Sequence, residues 1–108
     1  MSNYAKKALQ GRKDDDEKAR MDLLPADVLL EVGKRLKVGA DKYSDRNWEL
    51  GMDWGRPYAA LMRHALAWWG GELEDPETGQ DHMIAVICNA IFLYEYAKHG
   101  LGEDTRGL

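Results

Sequence analysis

The stretch from Met83 to Leu93 constrains the fold of this chain more than any other. It reads MIAVICNAIFL, and Asn89 is the one strongly polar side chain within it. A helix that is apolar nearly all round is stable only when other elements cover it on most sides. We therefore expect a helix over about residues 81–98 that forms the central, most buried element of the molecule.

Two other stretches carry the spacing of amphipathic helices. Apolar residues recur every three or four positions between Pro25 and Gly39, and again between Pro57 and Trp69. Glycine favours the end of a helix, so Gly39 and the pair after Trp69 are the predicted stops. No stretch alternates as a strand does. The predicted fold class is all-α, a small helical bundle of three main helices plus an ordered N-terminal segment.

The length of 108 residues fits a single domain. We expect a mobile charged arm over residues 1–17, the helical domain over 18–100 and a loose tail over 101–108. Three helices bury only a modest core, so a chain of this size gains stability by covering more surface in an assembly. A homo-oligomer, a dimer or a tetramer, is therefore expected.

Five carboxylates crowd the ten residues from 72 to 81, and a histidine lies on each side of them, His64 and His82. No Lys or Arg occurs between Arg63 and Lys98 to neutralise the charge. Like charges this close repel unless something positive lies among them, and hard cations take carboxylate oxygens. A metal site is one interpretation, and an acidic loop screened by water and salt is the other.

Charge and cysteine content exclude several classes of protein. Residues 1–63 carry 13 basic and 11 acidic side chains, whereas residues 64–108 carry 2 and 8. This asymmetry suits a site for phosphate and metal, and it fits poorly with nucleic-acid binding, which needs a basic surface. The longest apolar run is too short to span a membrane. Cys88 is the only cysteine, which favours a reducing, cytoplasmic location.

Residues 40–57 form an irregular stretch that is rich in aromatic and polar side chains. Lys42 and Asn47 suit phosphate or base contacts, and Tyr43 or Trp48 can stack on a base. The alternative is that Trp48 closes the edge of the core. Asn89 is open in the same way, since it either joins a structural hydrogen-bond network or contacts a ligand.

Several segments together resemble the phage-rich dATP/dGTP diphosphohydrolase N-terminal domain family. They are RMDLLP, GADKYSDRNW, RH, GELEDPETG and, on the last helix, H-x-x-x-x-x-x-N. The resemblance covers about residues 18–95, and one departure from the pattern is Gln80-Asp81 before His82. The matching positions are Arg20, Asp22, Leu23, Pro25, Gly39, Ala40, Lys42, Tyr43, Arg46, Asn47, Trp48, Arg63, His64, Gly71, Glu72, Asp75, Glu77, Thr78, Gly79, His82 and Asn89.

The resemblance implies an all-α nucleotide pyrophosphohydrolase similar to the MazG-like group. Its substrate would be a deoxypurine nucleoside triphosphate, cleaved to the monophosphate and pyrophosphate with Mg²⁺ or Mn²⁺, in the cytoplasm of a bacterial host for a phage-encoded enzyme. The implied site residues are Glu72, Asp75 and His64 for catalysis; Glu72, Asp75, Glu77 and His82 for metal; and Arg20, Lys42, Tyr43, Asn47, Trp48, Arg63 and Asn89 for nucleotide and phosphate.

The similarity to the MazG-like group is partial. Glu72 to Asp75 forms the E-x-x-D motif of that group, but the chain has no E-x-x-E partner, for which Glu31 alone is a weak substitute. A non-catalytic helical module that binds a nucleotide or a partner protein is therefore the alternative function.

Overall fold

The computed structural model describes residues 11–107, and the regular structure over this range is helical. Its three main helices are α1 (Ala26–Lys42), α2 (Gly55–Trp69) and α3 (His82–His99). Short 3₁₀ helices occur at Met21–Leu23 and Asn47–Leu50. No strand forms between residues 11 and 107, where the β-type pairing is limited to two isolated bridges. The predicted all-α fold with three main helices is confirmed.

The N-terminal segment is exposed where the structure describes it. Arg20 and Asp22 form an ion pair of 2.8 Å beside the first 3₁₀ helix. The predicted mobile arm over residues 1–17 lies, for residues 1–10, outside the described part of the chain. None of the helices between residues 11 and 107 is both long enough and apolar enough to cross a membrane.

Helix α3 is the central element, as its composition predicts. Asp81 begins it by accepting a hydrogen bond of 2.8 Å from the Met83 amide, and Gly100 ends it with a φ of 65°. Ile84 and Cys88 pack with Val32 of α1 to form the core. Burying an aliphatic side chain such as Ile84 stabilises the fold by about 1.5–3 kcal/mol. The buried residues of α3 are His82, Ile84, Ala85, Cys88, Asn89 and Tyr96.

The other two helices pack on α3 in opposite directions. Helix α2 is antiparallel to it, because Trp54 at the start of α2 bonds Leu101 after the end of α3, whereas His64 meets His82. Helix α1 runs in the same general direction as α3, because Glu31 bonds Gln80 just before α3 begins, whereas Trp48, after the end of α1, stacks on Phe92 in the second half of α3. The acidic loop between α2 and α3 therefore lies at the N-terminal end of α3.

Helix α1 continues beyond the predicted stop at Gly39 and ends at Lys42. Gly39 keeps a negative φ, so it does not form the left-handed cap that ends a helix. Lys37 and Asp41, one turn apart, form an ion pair of 2.6 Å that supports the additional turn.

The segment after α3, predicted as a loose tail, is attached to the start of α2 over much of its described length. The Leu101 carbonyl accepts a hydrogen bond of 2.7 Å from the Trp54 indole, and Glu103 exchanges backbone hydrogen bonds with residues 52 and 54. Thr105 also bonds the Asp53 carboxylate at 2.6 Å. These contacts join residues about 50 apart, so no local pattern in the sequence indicates them.

Candidate active site

The acidic loop folds back on itself and presents a carboxylate toward α2. The Asp75 carbonyl accepts the amides of Thr78 and Gly79, which closes a tight turn. The Asp75 side chain accepts the Glu77 amide at 2.9 Å. The His82 amide donates to the Leu73 carbonyl at 3.0 Å, which ties the start of α3 to the loop. The turn uses Oδ1 of the Asp75 carboxylate, and the other oxygen, Oδ2, faces His64.

Two histidines from different helices meet at this end of α3. The Nδ1 atoms of His64 on α2 and His82 on α3 lie 2.8 Å apart, which is hydrogen-bond distance. The His82 side chain is 5% exposed and that of His64 is 18% exposed. Because the two residues are 18 positions apart on separate helices, only the packing of α2 against α3 brings them together.

Glu72 orients the histidine pair. Its Oε1 atom lies 2.7 Å from Nε2 of His82. An ionised carboxylate only accepts hydrogen bonds, so Nε2 of His82 carries the proton. In neutral His82 the lone pair is then on Nδ1, and Nδ1 of His64 donates to it. The result is a hydrogen-bonded chain from Glu72 through His82 to His64.

Asp75 completes the cluster. Its Oδ2 atom lies 3.9 Å from Nδ1 of His64, and its side chain is 13% exposed. One ligand-type atom from each of His64, Asp75 and His82 lies within 4.8 Å of the other two. Over residues 11–107, these are the side chains whose spacing is compatible with a shared metal ion. Three of the residues predicted for catalysis and metal binding are thus brought together, with Glu72 as the partner of His82.

The electrostatic surroundings favour the neutral form of His64. Burial lowers the pKa of His64 below its usual value, and the positive charge of Arg35 lowers it further. The Asp75 carboxylate acts in the opposite direction. A neutral imidazole can accept a proton or bind a metal, and a protonated one can do neither.

Arg35 is a residue of this site that the sequence analysis did not single out. It is half-buried, and no carboxylate within residues 11–107 forms an ion pair with it. Its position in the sequence could have indicated this role. Arg35 follows Val28 by seven residues and Val32 by three, which places it on the packed stripe of α1. A charged residue on a packed stripe indicates a polar neighbour, which here is the histidine pair.

Gln80 connects the acidic loop to α1. Its amide nitrogen donates to the backbone carbonyl of Glu31 at 3.0 Å and lies 3.2 Å from the Glu31 carboxylate. Lys34 also bonds that carboxylate, and these two hydrogen bonds lower the pKa of Glu31. Glu31 is therefore engaged at the edge of the loop by Gln80 and Lys34. Gln80 lies at the position where the chain departs from the family pattern, and here it holds the loop against α1.

The remaining predicted residues are spread over the molecule. Glu77 is exposed in the turn, and Arg63 is exposed one position before His64. Asn89 is buried on α3, and its amide donates to the Ala85 carbonyl at 2.8 Å. The residues that the structure places away from the histidine pair are Arg20 near the N-terminal 3₁₀ helix, Lys42 and Tyr43 at the end of α1, and Asn47 and Trp48 in the second 3₁₀ helix. Their nucleotide contacts stay predictions.

A shallow apolar groove of 480 Å³ lies beside Trp48 and is lined on α3 by Ile87, Ala90, Ile91 and Tyr94. Trp48 itself stacks on Phe92, with ring centroids 4.8 Å apart. Ile87 follows His82 by five residues, which is about 140° around a helix of 3.6 residues per turn. The groove and the histidine pair thus lie on different faces of α3.

With this geometry established, comparison with known proteins places the chain. The family model described as "dATP/dGTP diphosphohydrolase, N-terminal" matches residues 8–106. The chain belongs to this family. A curated protein named dATP/dGTP diphosphohydrolase, from Salmonella phage PMBT28, is 29% identical over 98 residues. That alignment covers 91% of this chain and 33% of the relative. No solved structure matches the chain.

The family domain therefore spans about a third of the relative's length. Within the domain, the match extends over all three helices and the acidic loop. The predicted family resemblance is confirmed. The chemistry available at the cluster is proton transfer by an imidazole pair, coordination through nitrogen and carboxylate oxygen, and attraction of phosphate by Arg35.

Proposed function

We propose that this domain hydrolyses a deoxypurine nucleoside triphosphate to the monophosphate and pyrophosphate. The observation that carries the proposal is the hydrogen-bonded chain Glu72–His82–His64, with Asp75 beside it, in a member of the dATP/dGTP diphosphohydrolase N-terminal family. Titratable side chains that are partly buried and contact one another are typical of catalytic sites. The relative's name supplies the substrate class that we transfer to this chain.

A divalent ion fits the donor set at this site. Asp75 offers a free carboxylate oxygen and His82 a ring nitrogen whose orientation Glu72 sets. These two residues would hold the ion. Of the other ligands that the resemblance implies, Glu72 is bonded to His82 and Glu77 is exposed in the turn. When bound, such an ion neutralises phosphate oxygens and acidifies water. The residues of the chain carry the rest of the reaction.

The histidine pair provides the base. The oxygen of a water molecule attacks the α-phosphorus, the bond to the bridging oxygen breaks, and pyrophosphate leaves with that oxygen. The proton lost by the water passes to Nε2 of His64, which is free because Nδ1 carries the proton of that ring, and Glu72 holds His82 in the matching tautomer. General base catalysis of this kind contributes about 10²- to 10⁴-fold to the rate.

Cationic side chains near the pair hold the phosphates. Arg35 is close enough to lower the pKa of His64, and Arg63 contributes in the same direction with a smaller effect. Charge on the leaving pyrophosphate is stabilised by such groups. Asn89 lies on the His82 face of α3, seven residues further along, and we assign it a contact with the sugar or base.

The test is a panel of the eight common ribo- and deoxyribonucleoside triphosphates with Mg²⁺ or Mn²⁺, read out by separate assays for pyrophosphate, phosphate and tripolyphosphate. We expect pyrophosphate and a deoxypurine monophosphate, with dGTP or dATP preferred. The variant His64→Gln should lose this activity, and Glu74→Gln, an exposed acid in the same loop, should keep it. Nucleotide binding without hydrolysis would instead favour the non-catalytic module.

We further propose that the domain assembles as a dimer or tetramer. Several large apolar side chains on α1 and α2 are exposed, among them Leu30, Leu66 and Trp69, which is 82% exposed. Exposed apolar side chains gain stability when a second copy covers them. Light scattering at micromolar concentration should give a mass of at least twice 12.3 kDa, and a monomer across that range would contradict the proposal.

A further inference from the structure

The donor atoms at the histidine cluster are two imidazole nitrogens and one carboxylate oxygen, a different set from the carboxylates that the acidic loop suggests. From this set we infer that His64, Asp75 and His82 bind a borderline first-row transition ion, such as Zn²⁺ or Co²⁺, in preference to Mg²⁺. In the ion-bound site Glu72 supports His82 from outside the ion's direct ligands, and His64 acts by holding the ion and not as the base. The inference concerns the site of the proposed function, but ion binding is measurable without turnover.

The spacing of the donor atoms is close to that of ligands on one ion. Ligands about 2.1 Å from a metal, at angles between 90° and the tetrahedral value, lie about 3.0–3.4 Å from each other. The two Nδ1 atoms are 2.8 Å apart, and Nδ1 of His64 is 3.9 Å from Oδ2 of Asp75. Side-chain shifts of a few tenths of an ångström bring these two pairs to ligand spacing. The third pair, His82 and Asp75, lies within 4.8 Å, so the Asp75 carboxylate moves toward His82 when all three bind one ion.

The orientation of His82 is already that of a metal ligand. Histidines that bind metals usually donate their other ring N–H to a carboxylate or carbonyl, which sets the ring orientation and tautomer. Nε2 of His82 donates to Glu72 in this way, and its Nδ1 lone pair points toward His64. Binding an ion replaces the hydrogen bond between the two Nδ1 atoms, and the His64 proton moves from Nδ1 to Nε2.

The identity of the donors determines the class of ion. Mg²⁺ prefers six oxygen ligands and gives up its water reluctantly, whereas imidazole suits zinc, cobalt and related ions. The groups that would make a site for Mg²⁺ are not aimed here: Glu77 is exposed in the turn, and Glu72 is hydrogen-bonded to His82. Three protein ligands also leave at least one coordination position free, as in catalytic rather than structural metal sites.

The alternative is a structural pair of histidines that share a proton and bind no ion. The first test is titration of the metal-free full-length chain with Co²⁺, followed by its visible absorption. We expect one Co²⁺ per chain, displaced by Zn²⁺ and retained in a hundredfold excess of Mg²⁺. Displacement by Mg²⁺ at concentrations comparable to Co²⁺, or no binding of Co²⁺, would overturn the inference.

Variants then identify the ligands. His64→Gln and Asp75→Asn should each weaken Co²⁺ binding by a hundredfold or more, and Glu72→Gln by about 10- to 100-fold with the absorption bands in place. The matched control is His99→Gln, because His99 is an exposed histidine at the other end of α3. Unchanged affinity in His64→Gln would remove His64 from the ligand set and contradict the proposal.

A measurement on the unmodified protein covers the case in which a variant does not fold. In ¹⁵N NMR of the histidine rings, addition of Zn²⁺ should shift the Nδ1 resonances of His64 and His82 and leave the ring resonances of His99 unchanged. A shift limited to His99, or none, would overturn the inference. The outcomes also separate the metal inference from the proposed function. Co²⁺ binding without pyrophosphate release supports the metal inference and contradicts the proposed function. Mg²⁺-supported hydrolysis without Co²⁺ binding supports the proposed function and contradicts the metal inference.

Discussion

The two ends of α3 use their polar side chains in different ways. At its N-terminal end, which we call the histidine end, His64, Glu72, Asp75 and His82 contact one another. At its C-terminal end, the aromatic end, Trp48, Trp54, Phe92 and Tyr96 pack together or on neighbouring backbone. Both ends are partly buried, and both join α3 to segments distant in the sequence.

The difference lies in the partners. At the aromatic end two polar donors meet backbone carbonyls: the Tyr96 hydroxyl donates to Trp48 at 2.6 Å and the Trp54 indole donates to Leu101 at 2.7 Å. Such pairs satisfy buried donors and hold the chain in place. At the histidine end ionisable groups bond to ionisable groups, which packing does not require. We therefore expect changes at the histidine end to affect activity and changes at the aromatic end to affect stability.

The largest effect is expected for Asp75→Asn. The substitution keeps the oxygen that accepts the Glu77 amide and removes the negative charge beside His64. We expect the rate of pyrophosphate release to fall by about 10²- to 10⁴-fold, the range for loss of a group acting in the transition state. The melting temperature should stay within a few degrees. Glu74→Gln, in the same loop, is the control, and equal losses in both variants would indicate a general charge effect.

The next largest effect tests which end of α3 contacts the nucleotide. Asn89 lies on the histidine face, and its amide bonds the Ala85 carbonyl, which in a regular helix already accepts the Asn89 N–H. Asn89→Leu should therefore change the free energy of unfolding by less than about 1 kcal/mol. If Asn89 contacts substrate, kcat/KM should fall by about 10- to 100-fold. The free-energy cost of the lost hydrogen bond to substrate and the cost of leaving its substrate partner unpaired add together.

Asn47→Leu is the matched comparison at the aromatic end, because Asn47 begins the 3₁₀ helix that contains Trp48. If the nucleotide binds at the histidine end alone, the predicted contact of Asn47 with the nucleotide is wrong, and the kinetic constants of Asn47→Leu equal those of the unmodified protein. A loss of kcat/KM in Asn47→Leu with normal kinetics in Asn89→Leu would move the nucleotide to the aromatic end, beside the groove. A large loss of stability in Asn89→Leu with unchanged kinetics would make Asn89 a core residue.

The third prediction concerns the attachment of the segment after α3. Gly102 has a φ of 74°, and a Cβ atom there would lie within 3.0 Å of the Met52 backbone. Gly102→Ala should destabilise the fold by more than the roughly 1–2 kcal/mol that a left-handed conformation costs. Gly100→Ala is the control, because Gly100 also has a positive φ but open space around it. Thermal melts that give equal losses for the two variants would exclude a steric role for Gly102.

The sequence predicts the features that depend on neighbouring residues. An all-round apolar stretch indicated that α3 is central, and apolar residues at helical spacing indicated α1 and α2. In each case the interacting groups lie within a few positions of each other, so propensity and periodicity are sufficient.

The contacts that the sequence does not predict join distant positions. The approach of His64 to His82 depends on how far α2 is rotated against α3, and the contact of Gln80 with Glu31 depends on the packing of α1. Helical spacing gives the face on which a residue lies but not the register between two helices. The resemblance to the family predicted the residues of the histidine end. It did not indicate that the Glu72 carboxylate is hydrogen-bonded to His82.

The smallest expected effect sharpens the comparison at the aromatic end. Tyr96 is fully buried, and its hydroxyl donates to the Trp48 carbonyl, which holds the second 3₁₀ helix against α3. Tyr96→Phe keeps the ring packing and leaves that carbonyl without its donor, so we expect a loss of about 1 kcal/mol. For a domain of this size the melting temperature should fall by about 4–8 °C.

Tyr94→Phe is the control, because Tyr94 is 64% exposed, and this variant should melt like the unmodified protein. Because the histidine end is untouched, the rate of pyrophosphate release per folded molecule should be the same in all three proteins. A Tyr96→Phe variant that melts normally but hydrolyses more slowly would mean that the aromatic end also takes part in the reaction.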